Sequence, residues 1–453
     1  MLLDQKTRTC QLSLVLGKVY SYDDGEPIGK NTMLNLISED SAFSVLKIPS
    51  FRRIWMAGGL SALVRWLDML AIGIFTYQLT EDAGAVAFTF VIRMLPRLLF
   101  GLFVGALSDR FNRKHLWVGA LLFVTASYLL LGLTIAFTEI EYWQLLCFVF
   151  ILAIGWSIEF PNRKAIIADT VPDHLLGRAI GIEWSTDSLA KIPGPLIAGG
   201  LIAFIGAEWA YLIGALIILV ATFIASTAVL EQIVRNTEDI SSLNQVKEGL
   251  RYVRFNRLLL GALGVTFVFN LAFPAYNSLL PAIGRDILDA NPFQIGILGA
   301  LEGLGAVLGS LWIAQYAREI RFSQIYYAGT GWFLVCAAAF AFSEIYLLSA
   351  ACIFLLGFGF AAFATMQTTL LIRVSSPEMR GRVLGALSFC IGLGPLTAVQ
   401  IGPLVNHIGF QYGLFVVLLE GVILLAATAY FFPTVIQKLT AELIQQHGHS
   451  VKN

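Results

Sequence analysis

The chain has 453 residues, of which 57% are hydrophobic and 13% charged, and its mean hydropathy is +0.76. Its 30 Lys and Arg balance 30 Asp and Glu, so the formal net charge is zero. A soluble domain carries about 25% charged residues, and a nucleic-acid-binding chain carries a basic excess. The composition therefore excludes both, together with a disordered chain, and points to a polytopic membrane protein.

Residues 1–53 are polar and mixed. Asp23-Asp24-Gly25-Glu26-Pro27 is a loop signal. Leu12–Leu16 is too short for a signal peptide and lacks a following cleavage pattern. This segment reads as a cytoplasmic tail with a short helix near Thr32–Leu46. Apolar runs then begin, and a helix needs about 20 residues to cross a bilayer. Twelve runs fit: 54–79, 84–108, 115–137, 142–162, 179–205, 208–230, 258–281, 291–316, 323–343, 345–372, 382–406 and 411–432. Barrel strands would show about ten residues of alternating polarity, which these continuous runs lack. Residues 433–453 form a second cytoplasmic tail.

Short-loop Lys and Arg set orientation. Loops after even-numbered runs carry Arg110, Arg113 and Lys114; Arg163, Lys164 and Arg178; Arg235, Lys247, Arg251, Arg254 and Arg257; Arg318 and Arg321; and Arg373, Arg380 and Arg382. Loops after odd-numbered runs carry only Arg285. Both termini are thus predicted to face the cytoplasm.

The chain also repeats itself. Gly177-Arg178-Ala179-Ile180-Gly181 recurs as Gly381-Arg382-Val383-Leu384-Gly385 at an offset of 204, which Gly105 and Gly309 share. Ile205-Gly206 matches Ile408-Gly409 at an offset of 203. The predicted fold is all-α, with two six-helix halves, 54–230 and 258–432, in parallel repeat around a central cavity. The linker 231–257 includes the basic, amphipathic Val246–Phe255, suited to the membrane surface.

The second run ends in Gly105-Ala106-Leu107-Ser108-Asp109-Arg110-Phe111-Asn112-Arg113-Lys114. This resembles the signature loop of the major facilitator superfamily: glycine, three residues, Asp-Arg, two residues, two basic residues. Asn112 stands where the family commonly has glycine, and Asn tolerates a left-handed turn. Phe51-Arg52-Arg53-Ile54-Trp55, Tyr77-Gln78-Leu79-Thr80 and Glu248-Gly249-Leu250-Arg251-Tyr252-Val253-Arg254 resemble the subgroup of enterobactin exporters and macrolide efflux proteins. The resemblance covers 51–432 and implies alternating access, in which two halves rock about a midplane site. It also implies a cytoplasmic gate at Gly105, Asp109, Arg110, Arg113 and Lys114, with Arg113 free to pair with an acid after the fourth run such as Asp169. Gly194-Pro195-Leu196-Ile197-Ala198-Gly199-Gly200 resembles the family's glycine-proline motif of exporters and antiporters. Gly194, Pro195, Gly199 and Gly200 are its packing residues, with a kink expected at the proline.

Ionisable residues inside spans are costly and default to function. The cations are Arg65, Arg93, Arg97 and Lys191; the acids are Asp68, Glu183, Asp187, Glu302 and Glu420, with Glu159 nearer the cytoplasmic edge. Arg65 lies eleven residues into its run, Arg97 eleven from the end of its own, and Asp187 and Lys191 eight and twelve into theirs. At about 1.5 Å per residue these four share one level near the midplane. They can serve as a switching ion network or in substrate and proton handling. Related chains commonly have Gly-Asp where Val64-Arg65 stands here, so the resemblance moves the proton-coupling acid to Asp68 or Asp187. In the second half, Asn270, Tyr276, Asn277, Gln367 and Gln400 offer polar contacts, Phe267, Phe269, Phe273, Phe360 and Phe363 an aromatic wall, and Glu420 reads as a partnered structural acid.

No nucleotide-binding Gly-Lys-Ser/Thr loop is present, which argues against ATP-driven pumping. The cysteines Cys10, Cys147, Cys336, Cys352 and Cys390 are scattered and form neither a disulfide framework nor a metal site. His447-Gly448-His449 reads as solvated tail. The expectation is a non-enzymatic, cofactor-free, monomeric exporter of the bacterial inner membrane. It would be driven by a proton gradient and carry a small polar or anionic molecule such as a carboxylate siderophore. Multidrug or macrolide antiport, and lipid flipping on the same fold, are the alternatives.

Overall fold

The computed structural model describes residues 42–229, 252–317, 319–375 and 394–438, with isolated positions between 379 and 391. Every regular element among them is helical. A 3-10 turn, Ala42–Lys47, leads into α1 (Pro49–Thr80), α2 (Ala83–Arg110), α3 (Arg113–Phe137) and α4 (Tyr142–Thr170). Then come α5 (Asp173–Ala190), α6 (Pro193–Phe204), α7 (Ala207–Ser226), α8 (Arg257–Asp286), α9 (Pro292–Tyr316), α10 (Phe322–Ala341), α11 (Tyr346–Val374) and α12 (Gly394–Phe431). Eight of them, α1, α3, α4, α7, α8, α9, α11 and α12, are long and apolar enough to cross a membrane. Of the predicted tail helix only Ala42–Lys47, and of the amphipathic linker helix only a turn at 252–254, fall within the described residues. The start of the eleventh run and the tail histidines lie outside them.

Local signals start and stop the helices. Asn256 caps α8 by accepting from the N–H groups of Leu258 and Leu259, both at 3.1 Å. Asn291 and Gln294 cap α9 reciprocally at 2.9 Å in each direction. Asn112 departs from its predicted role. Its backbone is extended, with φ −60° and ψ 114°, and its side chain accepts from the N–H groups of Lys114 and His115 at 2.9 and 3.4 Å. It therefore caps α3 where the family's glycine was expected to leave a left-handed turn. An Asn side chain can supply the acceptor that a glycine cannot.

Two boundaries also differ. Helix α4 runs on to Thr170, so Arg163 and Lys164 belong to it and not to a loop. The fifth run is two helices, parted at Lys191-Ile192, so the break precedes the glycine-proline motif. Pro193 and Pro195 lack the N–H groups that would bond Leu189 and Lys191. The chain tightens there instead, with Ile192 N–H on the Leu189 carbonyl at 3.1 Å.

Gly206 (φ 114°) ends the fifth run and Gly409 (φ 83°) breaks α12. The matched Ile-Gly pairs thus share an unusual backbone conformation, open to glycine and strained for other residues.

Helices α1–α7 pack chiefly with one another, as do α8–α12. The two sets meet mainly where α6 lies on α9 and α2 lies on α12. At the first contact a Cβ added to Gly296 would lie 2.8 Å from the Pro195 carbonyl oxygen and 3.2 Å from Gly199 Cα. Only glycine permits that approach. At the second, Gly84 meets Gly402. Both contacts lie toward the end of the molecule that carries Tyr77, whose hydroxyl bonds Asp286 across the sets. Large aromatics such as Trp117, Tyr128, Tyr211 and Tyr326 fill the interior, while Leu130, Leu216, Phe223 and Val335 are exposed. Exposed apolar side chains on long helices suit a hydrocarbon solvent.

Candidate functional site

The ionisable residues gather in three groups. The largest surrounds Phe160 on α4. Arg65, Arg97, Arg163 and Lys164 all lie with their charge 5.2–5.9 Å from the Phe160 ring centre. Such cations are attracted by the ring's electron-rich face. Three carboxylates interleave them. Arg65 pairs with Asp187 and lies 4.0 Å from Glu159. Arg163 bonds Glu159 at 2.7 Å and also pairs with Glu183, which Lys164 shares. Trp117 donates to Glu159 from 3.3 Å. Arg163 and Glu159 are almost wholly buried, at 1% and 0% exposed. Buried charges of this kind persist only when matched.

Arg97 differs from its neighbours. Its side chain is exposed, and among the described residues it forms no ion pair. Four cations therefore face three carboxylates around one ring. The excess positive charge sits on the exposed group, Arg97.

The second group pairs Arg93 of α2 with Asp68 of α1, which is 1% exposed. Arg65 and Asp68, expected on one face, serve different partners. The third group joins the two helix sets. Lys191, at the α5–α6 break, pairs with Glu302 of α9, and Tyr276 donates to the other Glu302 oxygen from 3.4 Å. Asn277 lines a small cavity beside this pair. The aromatic wall also gathers: Phe269 stacks on Phe363 with centres 3.7 Å apart, and Phe273 lies 5.4 Å from Phe360. Gln367 bonds Thr266 at 3.4 Å. Gln400 donates to Glu420 at 2.8 Å, which gives that peripheral acid its partner.

Of the signature loop, Arg113 pairs with Asp169 at 2.8 Å and Lys114 donates its backbone N–H to the Asn112 cap. Gly105, Asp109 and Arg110 lie on α2, and their side chains are outside the described residues. In the glycine-proline motif, a Cβ added to Gly194 would lie 3.1 Å from the Trp66 backbone, and Pro195 and Gly199 face α9. At Gly200 the added Cβ would have more room, with Phe293 3.7 Å away.

This arrangement of long apolar helices is shared with known proteins. Residues 40–449 match the model of a family described as transmembrane secretion effector. The chain belongs to the major facilitator superfamily. It is a multi-pass membrane transporter of that superfamily and not an enzyme. Similar superfamily members include the macrolide efflux protein A of Streptococcus pyogenes, 25% identical over 79% of this chain and 91% of that protein. The enterobactin exporter of Citrobacter koseri is 25% identical over 76% and 82%. The staphyloferrin A transporter of Staphylococcus aureus is 22% identical over 74% and 84%. Among solved structures, a bacterial homologue of the human lysosomal transporter Spinster, inward-facing and unoccupied, superposes with TM-score 0.66 at 15% identity, over 88% of this chain and 98% of that one. That likeness shows the fold.

The charged cluster around Phe160 contains residues that the sequence reading places elsewhere. Arg163 and Lys164 were counted as loop charges, and Phe160, Trp156 and Trp184 were not singled out. A signal was present: Glu159 and Arg163 are four apart, one turn of helix. Reading that pair as helical would have carried α4 past residue 162. Nothing in spacing alone marked Phe160 as the ring the cations share.

Proposed function

We propose that this transporter exports a small polar or anionic molecule across the bacterial inner membrane by alternating access, using the proton gradient. In this reading it has twelve spans in two six-helix parallel-repeat halves, acts as a monomer, and holds both termini in the cytoplasm. The single observation that carries the substrate class is Arg97: an exposed guanidinium beside Phe160 with no ion-pair partner among the described residues, in a cluster where other cations are matched. A guanidinium binds carboxylates in a two-point geometry. The Tyr77 end is closed by the Gly199–Gly296 and Gly84–Gly402 contacts, which supports a conformation open toward the cytoplasm. The names of the similar enterobactin and staphyloferrin A transporters favour a siderophore as the anion.

The test is release of siderophore from a deletion strain carrying either the intact chain or Arg97→Ala. The intact chain should restore extracellular siderophore and Arg97→Ala should not. Equal release with and without the chain would overturn the reading.

A second reading is macrolide or other drug efflux. The clustered phenylalanines of α8 and α11 favour it, since bulky apolar ligands bind aromatic walls. Drug susceptibility of the same strains separates the two.

A further inference from the structure

Lys191 is held differently from the other buried cations. Its ammonium pairs with Glu302 and lies over three aromatic faces: Phe360 at 3.4 Å, Trp66 at 4.8 Å and Phe273 at 5.3 Å. The lysine and the glutamate side chains are 4% and 2% exposed. One carboxylate with several ring faces is the arrangement by which proteins recognise organic ammonium groups.

The enclosing groups come from α1, α8, α9 and α11. The lysine alone comes from the α5–α6 break. The enclosure is therefore built without Lys191, which enters it as an occupant. Two further observations point to a ligand larger than a lysine tip. A cavity of about 20 Å³ adjoins, lined in part by Trp66, Lys191 and Glu302, about the room one water needs. The indole N–H of Trp66 is buried with no hydrogen-bond partner among the described residues, a costly state that an acceptor near a bound ammonium would relieve.

We propose that Glu302, Tyr276, Trp66, Phe273 and Phe360 form a binding site for a small organic ammonium group, and that Lys191 fills it in this conformation as an internal ligand. The backbone ties the occupant to the contact between helix sets. A Cβ added to Gly303 would lie 2.8 Å from the Lys191 carbonyl oxygen, so α9 cannot part from this stretch without drawing the lysine out. The vacated site then offers a carboxylate and an N–H donor together. That pattern fits an amine carrying a hydroxyl or carbonyl nearby, as in amino sugars and amino alcohols. The proposal is independent of the anionic substrate reading, because it is tested by binding to the purified protein without transport.

The experiment uses full-length protein in detergent. Lys191→Ala removes three carbons and the ammonium, which n-propylammonium replaces atom for atom. Its Tm should fall, and n-propylammonium should raise it in a concentration-dependent way, by about 2 °C or more at ten times Kd. Equal sodium chloride or n-propanol should not, and the double variant Lys191→Ala/Glu302→Gln should show no amine response. Where Lys191→Ala does not fold, Lys191→Met keeps an apolar stem of the same length, with sulfur in place of one methylene, and lacks the ammonium. Ammonium chloride against sodium chloride is then the probe pair, with the same expected difference. An amine response no greater than that of sodium, or one preserved without the Glu302 carboxylate, would overturn the proposal.

Discussion

Arg163 follows Glu159 by one turn of α4 and bonds it at 2.7 Å, while the same guanidinium pairs with Glu183 of α5. One buried cation thus serves two carboxylates from two helices. Removing it takes the direct ion-pair partner from buried Glu159 and leaves Glu183 to Lys164 alone, at a cost of about 3–5 kcal/mol. Arg163→Met should therefore lower the thermal unfolding midpoint in detergent sharply. Adding Glu159→Gln should recover part of the loss, since one orphaned charge is then neutral. An unchanged midpoint in Arg163→Met would contradict the buried network.

Arg97 and Arg93 lie one turn apart on α2 and should behave oppositely. Arg97 has no described ion-pair partner and is exposed, so Arg97→Ala should change stability by about 0.5 kcal/mol or less. Its loss of transport should be about tenfold or more, the value of a charge-assisted hydrogen bond. Arg93→Ala strands Asp68, which is 1% exposed, and should destabilise by about 3–5 kcal/mol. Paired unfolding and substrate-release measurements on both variants check the contrast.

Side chains cannot be added where α6 meets α9. Gly296→Val places atoms against the Pro195 carbonyl and Gly199 Cα, so the two helices must separate. Spin labels at Gln78 and Glu344, both exposed, should report a longer mean distance by pulsed electron resonance. Identical distance distributions in parent and variant would refute the steric argument.

Asn112 tests how the signature loop turns. As a helix cap, its replacement by Ala should cost about 1 kcal/mol, by Gly a few tenths, and by Asp almost nothing. A left-handed turn would instead favour Gly over Asn and penalise Ala. Thermal unfolding of the three variants distinguishes the conformations.

Much of this was legible in sequence. Hydropathy marked the long helices because hydrocarbon leaves backbone groups no other partner. Repeat spacing marked Gly206 and Gly409, whose shared left-handed backbone follows from what only glycine adopts readily. The acid expected beside Arg113 was named as Asp169, and the two residues are paired. Charges in spans were readable as a set, but their pairing was not. Lys191 has Asp187 one turn away on its own helix, yet it pairs with Glu302, 111 residues on. Helix-helix packing decides that choice, and no local spacing records it. Arg163 failed for the opposite reason. A basic residue near the end of an apolar run looks like a topology signal, and only its carboxylate partners show that it is interior.

The parting of α5 from α6 has a mechanical consequence. A rigid rod through this region would transmit tilt from one end of the molecule to the other without local change. Here the rod is jointed at Lys191-Ile192, the place where the lysine grips Glu302. Fulcrum and clasp coincide in two residues. In the alternating access proposed above, a swing of α6 about that joint would load or release the Lys191–Glu302 pair, which would gear motion at one face of the bilayer to the state of a single ammonium.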